Sequence, residues 1–155
     1  QFQILSEFAE TLRCLAENKG LDEKQTRNFV IAFVQQLKYQ PEVGEYPKYP
    51  IEMLWEHAGD CEDAALLYIS LTESIGYDSA LMIGEVKSSS DEEWGGHAWA
   101  VIFIPDHSGD GWYGFGSKSD VPYYFVEATA HYDGSSMIGR NPWYDVQNHG
   151  FYDVE

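Results

Sequence analysis

Apolar residues open the chain at helical spacing: Phe2, Leu5, Ala9, Leu12 and Leu15, with Ala16 beside the last. The pattern predicts a helix from Phe2 to Asn18, which carries Cys14 and stops at Gly20. Asp22 followed three positions later by Gln25 has the form of a capping box. Thr26, Phe29, Val30, Phe33 and Leu37 then continue one face of a second helix to about Tyr39. Between Tyr39 and Pro50, "YQPEVGEYPKYP" holds three prolines, which interrupt helix and favour an extended surface connection. A third helix is expected after Asp60, with Ala64, Leu67, Leu71 and Ile75 on one face, Ala65, Tyr68 and Thr72 beside them, and Gly76 at its end. Apolar on most sides, it belongs at the centre of the molecule.

The period then changes. Three runs rich in β-branched and aromatic residues follow: "SALMIGEV" (Ser79 to Val86), "HAWAVIFI" (His97 to Ile104) and "YYFVEA" (Tyr123 to Ala128). Helices first and strands afterwards imply an α+β fold, with N-terminal helices packed on an antiparallel β-sheet. "KSSSDEEWGG", Lys87 to Gly96, reads as a polar loop placed to act as a lid before His97. Residues 131–155 show no clear period and are expected to wrap the surface as an irregular tail. The whole, 1–155, reads as a single domain: a helical part over 1–42, a core over 55–130, and the tail.

Composition narrows the partners. Twenty-six Asp and Glu against nine Lys and Arg give a formal charge of −17, which repels phosphate backbones and anionic membrane surfaces. No nucleic-acid partner is expected. No window approaches the roughly 18 apolar residues that span a bilayer, so no direct membrane insertion is expected either. The chain starts at Gln1 rather than Met, which leaves room for an upstream signal or anchor and an extracytoplasmic location. Two cysteines, Cys14 and Cys61, are too few for a disulfide framework and read as free thiols.

One of those thiols sits where chemistry is available. Cys61 begins the third helix, behind Gly59 and the N-cap candidate Asp60, where unpaired amide N–H groups and the helix dipole favour an anion. A free thiol titrates at about 8.5, and such a position together with an imidazolium lowers that value. Asp60, Glu62 and Asp63 oppose this with negative charge. If the second and third strand runs pair antiparallel, the register that sets His97 against Glu127 also sets Trp99 against Phe125 and Val101 against Tyr123. It places an imidazole and a carboxylate on one face; a slip of two residues preserves that face and a slip of one destroys it. Taken singly, each residue has a plain explanation: a core cysteine, a hydrogen-bonded histidine, a surface acid. Together they suggest Cys61 as nucleophile, His97 as general base and Glu127 as the group that orients it. The Cys61 N–H and the indole of Trp55 are candidate oxyanion donors, and Asp60 and Trp94 candidate substrate contacts. Trp112 and Tyr113 join Trp55 and Trp94 as groove candidates, whereas Trp99, mid-strand, reads as core.

"GDCEDAALLYISLTESIGY", "GHAWAVIFI" and "FVEATA" together resemble the three core motifs of the transglutaminase-like superfamily, relatives of papain-type cysteine proteases, over about half the chain. The resemblance implies a helix packed on an antiparallel sheet and the same three residues as a triad, with Glu127 where most relatives have Asp. It implies acyl transfer through a thioester on a peptide or protein substrate, most simply hydrolysis of a peptide or amide bond. Protein cross-linking at glutamine and a non-catalytic peptide-binding module are the alternatives within the superfamily. No cofactor is expected: His57, Cys61 and His97 lack a fourth zinc ligand at the usual spacing. "DHSGDG", Asp106 to Gly111, has the look of a calcium loop but carries Ser117 where an EF-hand needs its last acid, and some bacterial relatives with a similar Gly-Asp-Cys-Glu-Asp motif bind calcium.

Overall fold

The computed structural model describes residues 2–41, 48–105, 111–113, 122–129, 138–141 and 144–152. The first helix, α1 (Phe2–Asn18), buries Leu5, Ala9, Leu12 and Ala16 of the expected stripe, whereas Leu15, expected on the same face, is exposed. Gly20 ends it at φ +75°, with Leu21 N–H donating to the Ala16 carbonyl and Gly20 N–H to that of Glu17, the paired bonds of a Schellman stop. Helix α2 (Glu23–Gln35) starts on Asp22, whose side chain accepts from Gln25 N–H while the Gln25 side chain accepts from Asp22 N–H.

The second helix stops at Gln35, short of the expected Tyr39, because Lys38–Tyr39 form strand β1 beside β2 (Ala58–Gly59), in parallel. Part of the proline-rich connection, residues 42–47, lies outside the described residues. Its end starts α3 (Pro50–Glu56), a helix the sequence reading did not anticipate: Pro50 occupies the first turn, where a missing N–H leaves no bond unmade. The central helix, α4 (Cys61–Ser74), begins at Cys61 as expected and touches α1, α2, α3 and the sheet. Ala64, Ala65, Leu67, Tyr68, Ile69 and Leu71 are all at most 1% exposed, which explains an apolar pattern wider than one stripe.

Beyond α4 the chain builds a five-stranded antiparallel sheet from β3 (Ser79–Lys87), β4 (Gly95–Ile102), β5 (Gly111–Tyr113), β6 (Pro122–Val126) and β7 (Asp145–Tyr152), in the order β5-β6-β4-β3-β7. Alternation sorts the side chains of β4 and β6 into two cores. Ala98, Ala100, Ile102, Tyr124 and Val126 join the helix layer, while Trp99, Val101, Tyr123 and Phe125 pack with Ala80 and Met82 in a second cluster on the other face. Trp99 is fully buried there, as its mid-strand position suggested.

Two expectations need correction. The stretch from 131 onward is not irregular throughout, since residues 145–152 form an edge strand on β3. Its half-exposed positions and the left-handed Asn148, φ 49°, hide the period of two that marks a strand. The β4–β6 register is displaced by two residues: Val101 faces Phe125 and Ala100 faces Val126. A slip of two keeps every side chain on its face, so the hydrophobic pattern could not discriminate between the two registers.

Candidate active site

Two local devices and two longer-range contacts fix the backbone at the start of α4. His57, in the left-handed region at φ 59°, ends α3 and turns the chain into β2. Strand β1 holds that turn through Lys38 N–H to the His57 carbonyl at 3.0 Å and Gln40 N–H to the Gly59 carbonyl at 2.8 Å. Asp60 caps the helix by accepting from Asp63 N–H at 2.9 Å, and the Asp63 carboxylate accepts in return from Asp60 N–H at 3.0 Å. The second oxygen of Asp63, fully buried, accepts from Lys48 N–H at 2.7 Å. Cys61 is thereby the first residue of a helix whose entering chain cannot shift. Its own N–H has no hydrogen-bond partner among the described residues and stays free to act as a donor.

His97 and Glu127 meet although they are not opposed in the ladder. His97 lies opposite Gly84 of β3, and Glu127 follows the last paired residue of β6. His97 Nε2 and Glu127 Oε2 are 2.6 Å apart, with side-chain exposures of 10% and 3%. A second Glu127 oxygen, Oε1, accepts from the Thr129 hydroxyl at 2.7 Å and from Thr129 N–H at 3.3 Å. The ring of His97 is flanked by Trp99 at 5.9 Å between centroids, nearly parallel, and by Tyr144 at 5.1 Å, tilted. Gly84 makes room for the indole: a Cβ there would stand 3.1 Å from Trp99 Cη2.

Burial alone would push the His97 pKa down, but hydrogen bonding to Cys61 and to Glu127, together with the attraction of both, carries it from 6.5 up to about 10. Because Nε2 faces Glu127, Nδ1 is the nitrogen left for Cys61. Two tyrosines that the sequence reading had not singled out border the same place. Burial pushes the Tyr144 phenol up to about 12, with Glu127 and Cys61 adding to it; Tyr39 is raised by burial and then by Cys61, Asp60 and Glu127. Both phenols remain protonated donors at neutral pH. No local sequence signal marks them, because β1 and the loop before β7 reach the site only through tertiary packing.

The structure thus brings Cys61, His97 and Glu127 together. The Asp60 carboxylate is committed to its cap, and burial, with Asp63 nearby, raises its pKa. Trp94, 37% exposed, precedes β4. Trp55, 85% exposed on α3, lines a groove of about 880 Å³ with Phe8, Phe33, Leu37, Ile51 and Leu54, and none of Cys61, His97 and Glu127 contributes to that lining. The calcium-like stretch 106–110 and Ser117 lie outside the described residues, as do the side chains of Trp112 and Tyr113. Among the described residues no group of three or more His, Cys, Asp or Glu is arranged to hold a metal ion, and no helix is long and apolar enough to cross a membrane.

A helix-borne cysteine beside a strand-borne histidine is the arrangement at which the family comparison becomes informative. The model of the transglutaminase-like superfamily matches residues 10–116, a span that includes Cys61 and His97 and stops short of Glu127. The chain belongs to the transglutaminase-like superfamily. No curated protein matches it by sequence. Among solved structures it is similar to a Cytophaga hutchinsonii protein described as a candidate cysteine protease, with a TM-score of 0.59 and 13% identity over 99% of this chain and 49% of that one. The chain therefore spans about half the length of that protein. It is also similar to calcium-bound LapG of Legionella pneumophila, with a TM-score of 0.49 and 17% identity over 94% of this chain and 87% of that one. The transglutaminase-like domain described here accordingly has a cysteine-protease-like fold.

Proposed function

We propose that this transglutaminase-like domain is a cysteine-dependent acyl-transfer enzyme that hydrolyses a peptide or amide bond in a peptide or protein substrate. The observation that carries this reading is the 2.6 Å contact between His97 and Glu127, both nearly buried, at the helix start where Cys61 stands.

Each residue then has one task. With the proton already held on His97, the Cys61 sulfur attacks the carbonyl carbon of the scissile bond. The oxyanion that forms is stabilised by the Cys61 N–H at the positive end of α4. His97 returns the proton to the departing amine, which leaves a thioester on Cys61. Water, deprotonated by the same imidazole, attacks that thioester, releases the acid and restores the thiolate. Throughout, Glu127 keeps Nδ1 turned to the sulfur and stabilises the charged ring.

The test is turnover of a generic unfolded protein substrate, with and without a primary amine, comparing the wild type with Cys61→Ala. New peptide ends made by the wild type alone support hydrolysis. Incorporation of the amine without new ends transfers the reading to cross-linking, and equal product from both proteins removes the triad from the account.

A further inference from the structure

Glu127 stands where the sheet no longer controls the backbone. The β4–β6 ladder ends at Val126, so the carbonyl of Glu127 has no ladder partner. The partner it has comes from α2: Gln35 Nε2 donates to it at 2.8 Å. A carbonyl only accepts, so this contact fixes which end of the amide faces Glu127. Gln35 is 3% exposed, and its Oε1 is left without a hydrogen-bond partner among the described residues. The backbone of Glu127 is anchored; its three side-chain torsions are not.

What restricts them is Thr129. We propose that Thr129 is a positioning residue for the triad: by holding Oε1 of Glu127 through its hydroxyl and its N–H, it aims Oε2 at His97 Nε2. With one oxygen pinned, rotation about the last torsion cannot remove the other from the imidazole. The division is complete, since each carboxylate oxygen has its own partner: Thr129 at 2.7 Å for Oε1 and His97 at 2.6 Å for Oε2. Thr129 is partly exposed, so its hydroxyl could be satisfied by water. Its bond to Glu127 therefore serves the orientation of the acid more than the satisfaction of a buried hydroxyl. The inference rests on the triad proposed above.

The experiment follows the imidazole directly by NMR titration of His97 in the full chain, in parallel with iodoacetamide alkylation of Cys61 at pH 6.5 against Cys14 as the exposed control. Thr129→Val, which keeps shape and loses the hydroxyl, should lower the His97 midpoint by about one unit and slow alkylation of Cys61 about tenfold. Thr129→Ser should restore both. In a Glu127→Asp background, where the shorter acid does not span to Thr129, Thr129→Val should add nothing further. A His97 midpoint unchanged or raised in Thr129→Val overturns the proposal, as does failure of serine to rescue. The catalytic reading is judged separately. Wild-type Cys61 reacting no faster than Cys14 counts against the nucleophile, while the His97 titration still reports on Thr129.

Discussion

Glu127 reaches His97 along a diagonal of the sheet: its ladder position continues past Val126, yet its carboxylate closes on the imidazole at 2.6 Å. His97 stacks beside Trp99, and the reach of the glutamate side chain covers the offset that the ladder leaves.

Glu127→Gln keeps this shape and removes the charge. Turnover should fall by roughly 10²–10⁴-fold, the range expected when a proton-transfer group is mis-tuned. His97 should then titrate lower, since one of the partners that raise it is neutral. Steady-state rates on the substrate established for the wild type provide the check; activity within twofold of wild type would remove Glu127 from the triad.

The raised pKa of His97 makes stability depend on pH with a definite sign. In the unfolded chain the ring titrates near its ordinary 6.5, and in the folded protein near 10, so folding favours the protonated form. The stabilisation is full below about pH 6.5 and is lost as pH rises toward 10. Urea unfolding at pH 6, 8 and 10 should show the wild type losing stability relative to His97→Gln across that window. A constant difference, or one that grows with pH, contradicts the protonated ring.

Gly59 is needed for close approach rather than for a positive φ. A Cβ at this position would stand 2.8 Å from Asp63 Cβ and 2.9 Å from Met53 Sδ, both in the buried base of the α4 start. Gly59→Ala should destabilise the fold by about 1–3 kcal/mol, the usual effect of overpacking. It should also slow Cys61 alkylation, because the clash lies two residues from the sulfur. Unfolding midpoints together with alkylation rates measure both effects.

Asp63→Asn tests the buried cap from the other side. One oxygen accepts from Lys48 N–H and the other from Asp60 N–H, so an amide can serve only one of them and must turn its NH2 against a donor. A loss of about 1–3 kcal/mol is expected for the donor left unsatisfied, read by thermal or urea unfolding. Asp63→Glu, which keeps the charge but overfills a fully buried site, should not rescue it.

Local chemistry explains which parts could be read in advance. The first helix with its stop at Gly20, the reciprocal cap of Asp22 and Gln25, and the start of the central helix at Asp60 and Cys61 all depend on residues within a few positions of one another. Pairing the His97 and Glu127 strands on a common face followed from a period of two. The exact register did not, since a slip of two leaves every face unchanged. The edge strand at 145–152 was obscured by its half-exposed positions and by Asn148, and α3 by prolines that mark its boundary as readily as they mark a loop.

Gln35, Thr129, Tyr39 and Tyr144 went unread for a related reason: their roles come from what they meet in space. Gln35 is 92 positions from Glu127. By itself the sequence determined α1, the start of α2, the start of α4, the faces of the β4 and β6 strands, and the residue types able to carry thiol chemistry, because backbone propensity and side-chain periodicity are local. Only the tertiary structure decided the ladder register, the partner of each carboxylate oxygen and the protonation of His97. Those depend on burial and on neighbours far along the chain, which become defined when the sheet and α4 close on one another.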